Sequence, residues 1–243
     1  MPYGIYEPLK EQFPAIEKIT LIDAHDDVVM ESGGDTFAAR GLAVRGDFFD
    51  IFYYEVLVGN GNCLASYTDI IVSESYATKI AGKPELAIGM KIQPVEFDCE
   101  AYTITGVIKD FAYKYWKYMD FICKGESPIN NGPQQNPIFT LSGVIFLQVA
   151  EGTEKDEVRT QILSVFNQLW GEKFTPEVFK QFADSFEVER FDNLLFSGDQ
   201  LSEYLSMVDK RQVIILTIVA LLLLISAVIN YVNLNLALTN RRA

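Results

Sequence analysis

His25 is the only histidine in the chain, and it lies in the run Asp23-Ala24-His25-Asp26-Asp27. Carboxylates beside an imidazole are the donor types of a divalent-cation site, but this spacing lacks the glycine and distal Glu of a calcium loop. Such residues next to a strand end read as turn residues. One histidine also leaves a Ser-His-Asp triad, or a histidine-rich zinc site, resting on a single group. Phosphate loops fail as well. Gly59-Asn60-Gly61 opens a G-x-G-x-x-G, but its last position is Leu64. Gly82-Lys83 matches the end of a phosphate-binding loop, yet Pro84 replaces the hydroxyl residue and Ala77 the first glycine. Cys63, Cys99 and Cys123 are odd in number and contain no C-x-x-C pair. Outside the cytoplasm one disulfide among them is permitted without being demanded. The pattern therefore predicts no catalytic residue, no metal site and no cofactor, and a chain that is not an enzyme on its own.

The most conspicuous surface candidate is aromatic. Phe111, Tyr113, Tyr115, Trp116, Tyr118 and Phe121 recur with Lys114 and Lys117 interleaved. Such a cluster can stack on a partner or ligand, or pack along a strand and bend.

The elements that must position these residues alternate in kind. Glu7 to Phe13 reads as a helix, Lys18 to Ile22 and Phe37 to Val44 as strands, and Asp47 to Phe52 as a short helix. Ser73 to Ile80 is helical, and strands follow at Met90 to Phe97 and Ala101 to Ile108. Glu126 to Pro137 is a loop rich in Pro, Gly and Asn. Val144 to Val149 has strand length, and Thr153 opens a helix through Trp170 with Val158, Ile162, Val165 and Leu169 on one face. Phe186 to Phe191 alternates as another strand. Interspersed strands and helices predict an α+β fold, without internal repeats.

From Val213 to Leu238 no charge interrupts an apolar run long enough to cross the roughly 30 Å hydrocarbon core as a helix. Asn230, Asn233 and Asn235 in that run suit a headgroup region or another helix. Upstream, Ser197 and Gln200 form a capping box. Leu201, Tyr204, Leu205 and Val208 then repeat at helical spacing, which predicts a stalk continuous with the span. The start, MPYGIYEPLKEQFPAIEK, has no basic region followed by an apolar one, so an extracytoplasmic placement implies a segment upstream.

Charge narrows the partners. The formal net charge is −13; the part from Asp209 onward carries +3 and everything before it −16. So acidic a surface disfavours nucleic acid and anionic lipid, whose phosphates need Lys and Arg.

Several segments together resemble one family. RGDFFDIFYYEVLVGN (Arg45 to Asn60) is similar to the "FF-x-x-F…L-x-x-G" stretch of MacB-like periplasmic core domains. SESYATKIAGKPELAIGMKI (Ser73 to Ile92) resembles their "sE-x-x-A-x-k-x-fG" segment at Ser73, Glu74, Ala77, Lys79 and Gly82, and again at Ile88 and Gly89. YTITGVIKDF (Tyr102 to Phe111) is similar to "yTVtGVikDf", and Asp120-Phe121 to the "FD" that follows. INYVNLNLALTNRR (Ile229 to Arg242) looks like the start of an FtsX-type permease region. Ala81 stands where the family has Phe, and the "NSH" after Asp110-Phe111 is missing.

The resemblance implies a two-subdomain MacB-like periplasmic core followed by a long stalk and transmembrane helix. Its expected boundaries are residues 1–197 for the core, with 45–121 as an inserted subdomain. Residues 198–212 would be the stalk, 213–238 the membrane helix and 239–243 the start of a cytoplasmic segment. It implies a chain truncated at both ends, from an ABC transporter permease subunit of the bacterial inner membrane, with residues 1–208 extracytoplasmic. The implied partners are a separate ABC ATPase subunit, a second permease protomer and a periplasmic partner. The expected role is coupling cytoplasmic ATP hydrolysis to export or envelope maintenance. A lipoprotein-sorting permease of similar architecture, or a membrane-anchored sensor or adhesion domain without an ATPase, are the rival readings. The transported substrate is not legible.

Overall fold

The computed structural model describes residues 5–59, 64–95, 100–110, 119–125, 143–196 and 210–240. Its elements are α1 (Tyr6–Gln12), β1 (Ile16–Ser32), β2 (Asp35–Gly46), α2 (Phe48–Ile51), β3 (Val56–Gly59), β4 (Asp69–Ser73), α3 (Glu74–Ala81) and α4 (Pro84–Ala87). They continue as β5 (Lys91–Pro94), β6 (Tyr102–Ile108), β7 (Phe121–Lys124), β8 (Val144–Val149), α5 (Lys155–Trp170), α6 (Pro176–Ser185) and α7 (Lys210–Asn240). The expected mix of helix and strand is present, but it is more tightly closed than the sequence pattern suggests.

β1 is the organising strand. It runs 17 residues, far beyond the expected Lys18 to Ile22, and pairs antiparallel with β2 along most of its length. Its first half also pairs with β8 from Ile16 to Ile22, and its last turn of ladder pairs with β5 at Met30 and Glu31. From β2 the ladder passes to β7, β4, β6 and β5, and so returns to β1. Six strands thus close on one another, which removes the exposed edges an open sheet would carry. Two of these pairings, β2–β7 and β4–β6, are parallel.

The two halves of β1 serve two cores. Val28 and Met30 belong to a buried cluster with Ile70, Val72, Tyr76, Tyr102, Ile104, Phe121 and Cys123, filling the closed strands under α3 and α4. Ile19 and Leu21 belong to another, with Ile5, Leu9, Val158, Ile162, Phe166 and Trp170 of α1 and α5. Phe182 of α6 stacks on Phe166 at 4.3 Å. Between the halves, the register shifts between His25 and Val28, and Asp27 takes φ 58°. The Asp23–Asp27 run is therefore not a turn at a strand end. It is a bulge inside a long strand, where the extra residue lets β1 redirect its apolar face.

A second expectation is overturned at Phe186 to Phe191. No ladder forms there among the described residues; a 3₁₀ helix covers Phe191–Phe196 instead. The alternation is real, because Phe186 and Val188 pack against the helical core. However, the Phe186 carbonyl accepts from Arg159 Nε at 3.1 Å, so a side chain takes the place of a strand partner. The helix before it, α6, is capped by the Thr175 hydroxyl, which accepts from Val178 N, with Pro176 at its first position.

Residues Phe191–Ala243 form a separate compact unit. Within it, Arg211–Asn235 has mean hydropathy 2.9 and none of its most apolar window buried. The helix is long and apolar enough to cross a bilayer. Its Thr217 hydroxyl donates to Val213 O at 2.8 Å, so the polar side chain is satisfied within the helix.

Candidate functional site

Of the residues singled out from sequence, Phe111, Tyr113, Tyr115, Trp116 and Tyr118 lie outside the described residues, as do Leu201, Tyr204, Leu205 and Val208. So do the capping-box residues Ser197 and Gln200, Cys63 and Cys99, and the Glu126 to Pro137 loop. Cys123 lies fully buried in the core of closed strands.

Asp23 is buried while Asp27 is exposed, and His25 Nε2 is 3.9 Å from Asp23 Oδ2. No group of three or more His, Cys, Asp or Glu that could hold a metal occurs among the described residues. Gly82 closes α3 in the left-handed conformation, φ 77°, with its N–H on Thr78 O. The Gly82-Lys83 pair thus sits between the carbonyl end of α3 and the single turn of α4, whose N-cap is Lys83, and Pro84 supplies neither an N–H nor a hydroxyl to a phosphate there.

The motif residues prove to be connectors. Gly46 ends β2 at φ +80°, and a Cβ there would run into Tyr6 Oη and the Ile19 carbonyl oxygen. Asp47 then returns to β1: its N–H donates to Ile19 O at 2.9 Å, and its Oδ2 accepts from Ile19 N at 3.0 Å. Arg45 reaches Glu7 Oε1 at 3.0 Å and lies 4.8 Å from the centre of the Tyr6 ring. Ser73 caps α3 by accepting from Tyr76 N at 3.2 Å. Asp110, from the "GVIKD" stretch, accepts from Ser75 N at 2.8 Å, and its other oxygen takes the Ser75 hydroxyl. Asp120 locks β2 beside β7: its Oδ2 accepts from Arg40 N at 2.9 Å. Lys79 donates to Ala38 O at 3.1 Å across the Phe37 and Tyr76 rings.

These connectors frame a groove of about 770 Å³ where α1, the end of β2, α2 and β7 meet. Its walls are aromatic. Phe48 is buried and stacks on Tyr54 at 5.5 Å, with Phe49 set edge-on at 5.2 Å. Phe49, Tyr53 and Tyr67 are 44%, 73% and 48% exposed, so part of each side chain meets solvent. Burial, then the Asp47 and Glu7 carboxylates, push the Tyr6 hydroxyl above its ordinary pKa, against the opposing effect of Arg45. Sequence reasoning passed over this groove in favour of the later aromatic cluster. The signal was there: Phe48, Phe49, Phe52, Tyr53 and Tyr54 fall within seven residues, and a four-residue helix cannot bury them all.

No protein-family model and no curated protein sequence matches the chain. Solved structures do, and they define its class: the fold is that of MacB-like periplasmic domains, followed here by an apolar helix. The periplasmic region of MacB from Actinobacillus actinomycetemcomitans is 13% identical, with a TM-score of 0.51 over 77% of this chain and 85% of that one. A domain of a protein described as a permease, from Porphyromonas gingivalis, is 18% identical with a TM-score of 0.54, over 71% of this chain and 77% of that one. The extracellular domain of the noncanonic ABC-type transporter YknZ from Gram-positive bacteria is 11% identical with a TM-score of 0.54, over 70% and 84%.

Proposed function

We propose that this chain forms the extracytoplasmic region and one membrane helix of an ABC-type permease subunit of the MacB/FtsX class. The observation that carries this reading is the MacB-like fold on the same chain as a bilayer-length apolar helix. In this reading residues 1–208 lie outside the cytoplasm of an inner membrane, and Arg241 and Arg242 inside. Residues 45–121 act as an inserted subdomain, and residues 198–212 form a stalk that transmits motion. The domain performs no chemistry itself; a separate ATPase supplies the energy, and a second permease protomer and a periplasmic protein complete the assembly. Export or envelope maintenance is the work so driven.

The test has two arms. Cysteines placed at the exposed positions Glu85 and Lys180, in a background lacking the native three, should react with a membrane-impermeant thiol reagent in intact cells with a permeabilised outer membrane. Protection of both until lysis would reverse the orientation. The chain purified from native membranes in mild detergent should carry a subunit that hydrolyses ATP. A preparation with correct orientation and no ATPase would favour a membrane-anchored sensor or adhesion domain.

A further inference from the structure

We infer that the aromatic groove beside α2 is a binding site for a small anionic aromatic molecule, with Lys124 receiving its carboxylate or phosphate. The site stands on the groove alone and does not require the permease reading.

Two features set the ligand chemistry. The volume, about 770 Å³, falls in the range of small-molecule sites, which bind an apolar body against rings and orient it with a few polar groups. Phe49, Tyr53 and Tyr67 offer such rings, partly open to solvent. Charge supplies the orientation. Among the described lining residues the one carboxylate, Glu7, is already paired with Arg45. Lys124 is different. Its Nζ donates to Ala65 O at 2.8 Å and lies 5.1 Å from the centre of the Tyr67 ring, and no carboxylate among the described residues pairs with it. An ammonium has three donors, so two are left for a ligand. The described lining thus carries a net positive charge on a chain of formal charge −13. A cation held over a tyrosine at the lip of an aromatic groove is complementary to an anion whose body stacks on the rings. It discriminates against a neutral analogue of the same shape.

The experiment is calorimetric titration of the full chain, in nanodiscs of a zwitterionic lipid, with 2-naphthoate and with its neutral isostere 2-naphthamide; empty nanodiscs serve as blank. Naphthoate should bind more tightly than naphthamide, by up to about five-fold, the effect of one partly exposed charge pair. Lys124→Met should abolish that preference, Lys124→Arg should keep it, and Tyr67→Ala should weaken both ligands. Near-UV circular dichroism of each variant establishes that it is folded. Should Lys124→Met not fold, the Lys124→Arg and Tyr67→Ala results decide. Equal affinities in the unaltered chain, or no binding above the blank, would overturn the assignment.

Discussion

Gly46 is the position at which one methyl group tests the geometry of the groove's frame. Its φ of +80° is a conformation that L side chains rarely adopt, and a Cβ would collide with Tyr6 Oη and with the backbone oxygen of Ile19. Two costs should therefore add in Gly46→Ala. The left-handed conformation costs about 1–2 kcal/mol, and forced overpacking about 1–3 kcal/mol. Gly82 separates them, because it has φ +77° and nothing within 4 Å of its missing Cβ. Gly82→Ala should carry the conformational cost alone. In urea titrations of the full chain in detergent, followed by near-UV circular dichroism, Gly46→Ala should lie about 1–3 kcal/mol below Gly82→Ala. With a slope of about 2 kcal/mol/M, that is a midpoint lower by about 0.5–1.5 M. Adding Tyr6→Phe removes the collision with the hydroxyl but not those with the ring carbon Cζ and Ile19 O, so it should recover only part of the loss. Equal destabilisation by the two glycine substitutions would refute the close approach of β2 to α1 and β1.

Two further outcomes follow from burial. The Tyr76 hydroxyl is fully buried with no hydrogen-bond partner among the described residues; burial, and then the charge of Asp120, hold its pKa well above the ordinary 10.0. The folded state keeps a proton that the unfolded chain releases above about pH 10, so this term is level below that pH and stability falls as pH rises beyond it. Tyr76→Phe should match or exceed the parent by up to about 1 kcal/mol at pH 7 and flatten the alkaline fall, as read in urea midpoints from pH 7 to 11; a loss above 1 kcal/mol at pH 7 would show a hidden partner. In α7, Leu222→Arg with Leu223→Asp places two charges in the most apolar stretch, at about 2.5–3.5 kcal/mol each, and should move the chain out of the carbonate-resistant membrane fraction; full retention would mean that α7 does not span.

The helices α1, α3 and α5 were legible because their signals are local, and the apolar helix because its charge-free run is long. The strands β3, β4 and β7, which are four or five residues long, were missed. Asp69–Ser73 reads as a strand only once its neighbours are known: β6 on one side and β7 on the other, both brought in from more than thirty residues away. The bulge at Asp27 was misread for the same reason. A run of acids looks like the end of a strand unless one knows that Met30 and Glu31 must go on to meet β5. At the candidate site, the aromatic residues were visible, but which ring faces stay exposed depends on where β7 delivers Lys124.

The motifs that carry the resemblance were legible without their meaning. Read as chemistry, R-G-D-F-F, S-E and G-V-I-K-D offered nothing. In the folded chain each supplies a turn or a side-chain bond to a distant backbone group: Asp47 to Ile19, Ser73 to the first turn of α3, Asp110 to Ser75, with Asp120 holding Arg40 in the same manner. Such contacts join elements up to 80 residues apart and fix where strands meet, whereas the apolar positions between them need only the right face and about the right volume. That division is compatible with a shared fold at 11–18% identity with the solved domains. It also locates the freedom. The connectors surround the groove beside α2, whereas the partly exposed rings of Phe49, Tyr53 and Tyr67 that would meet the ligand are not among the side chains that tie the strands together.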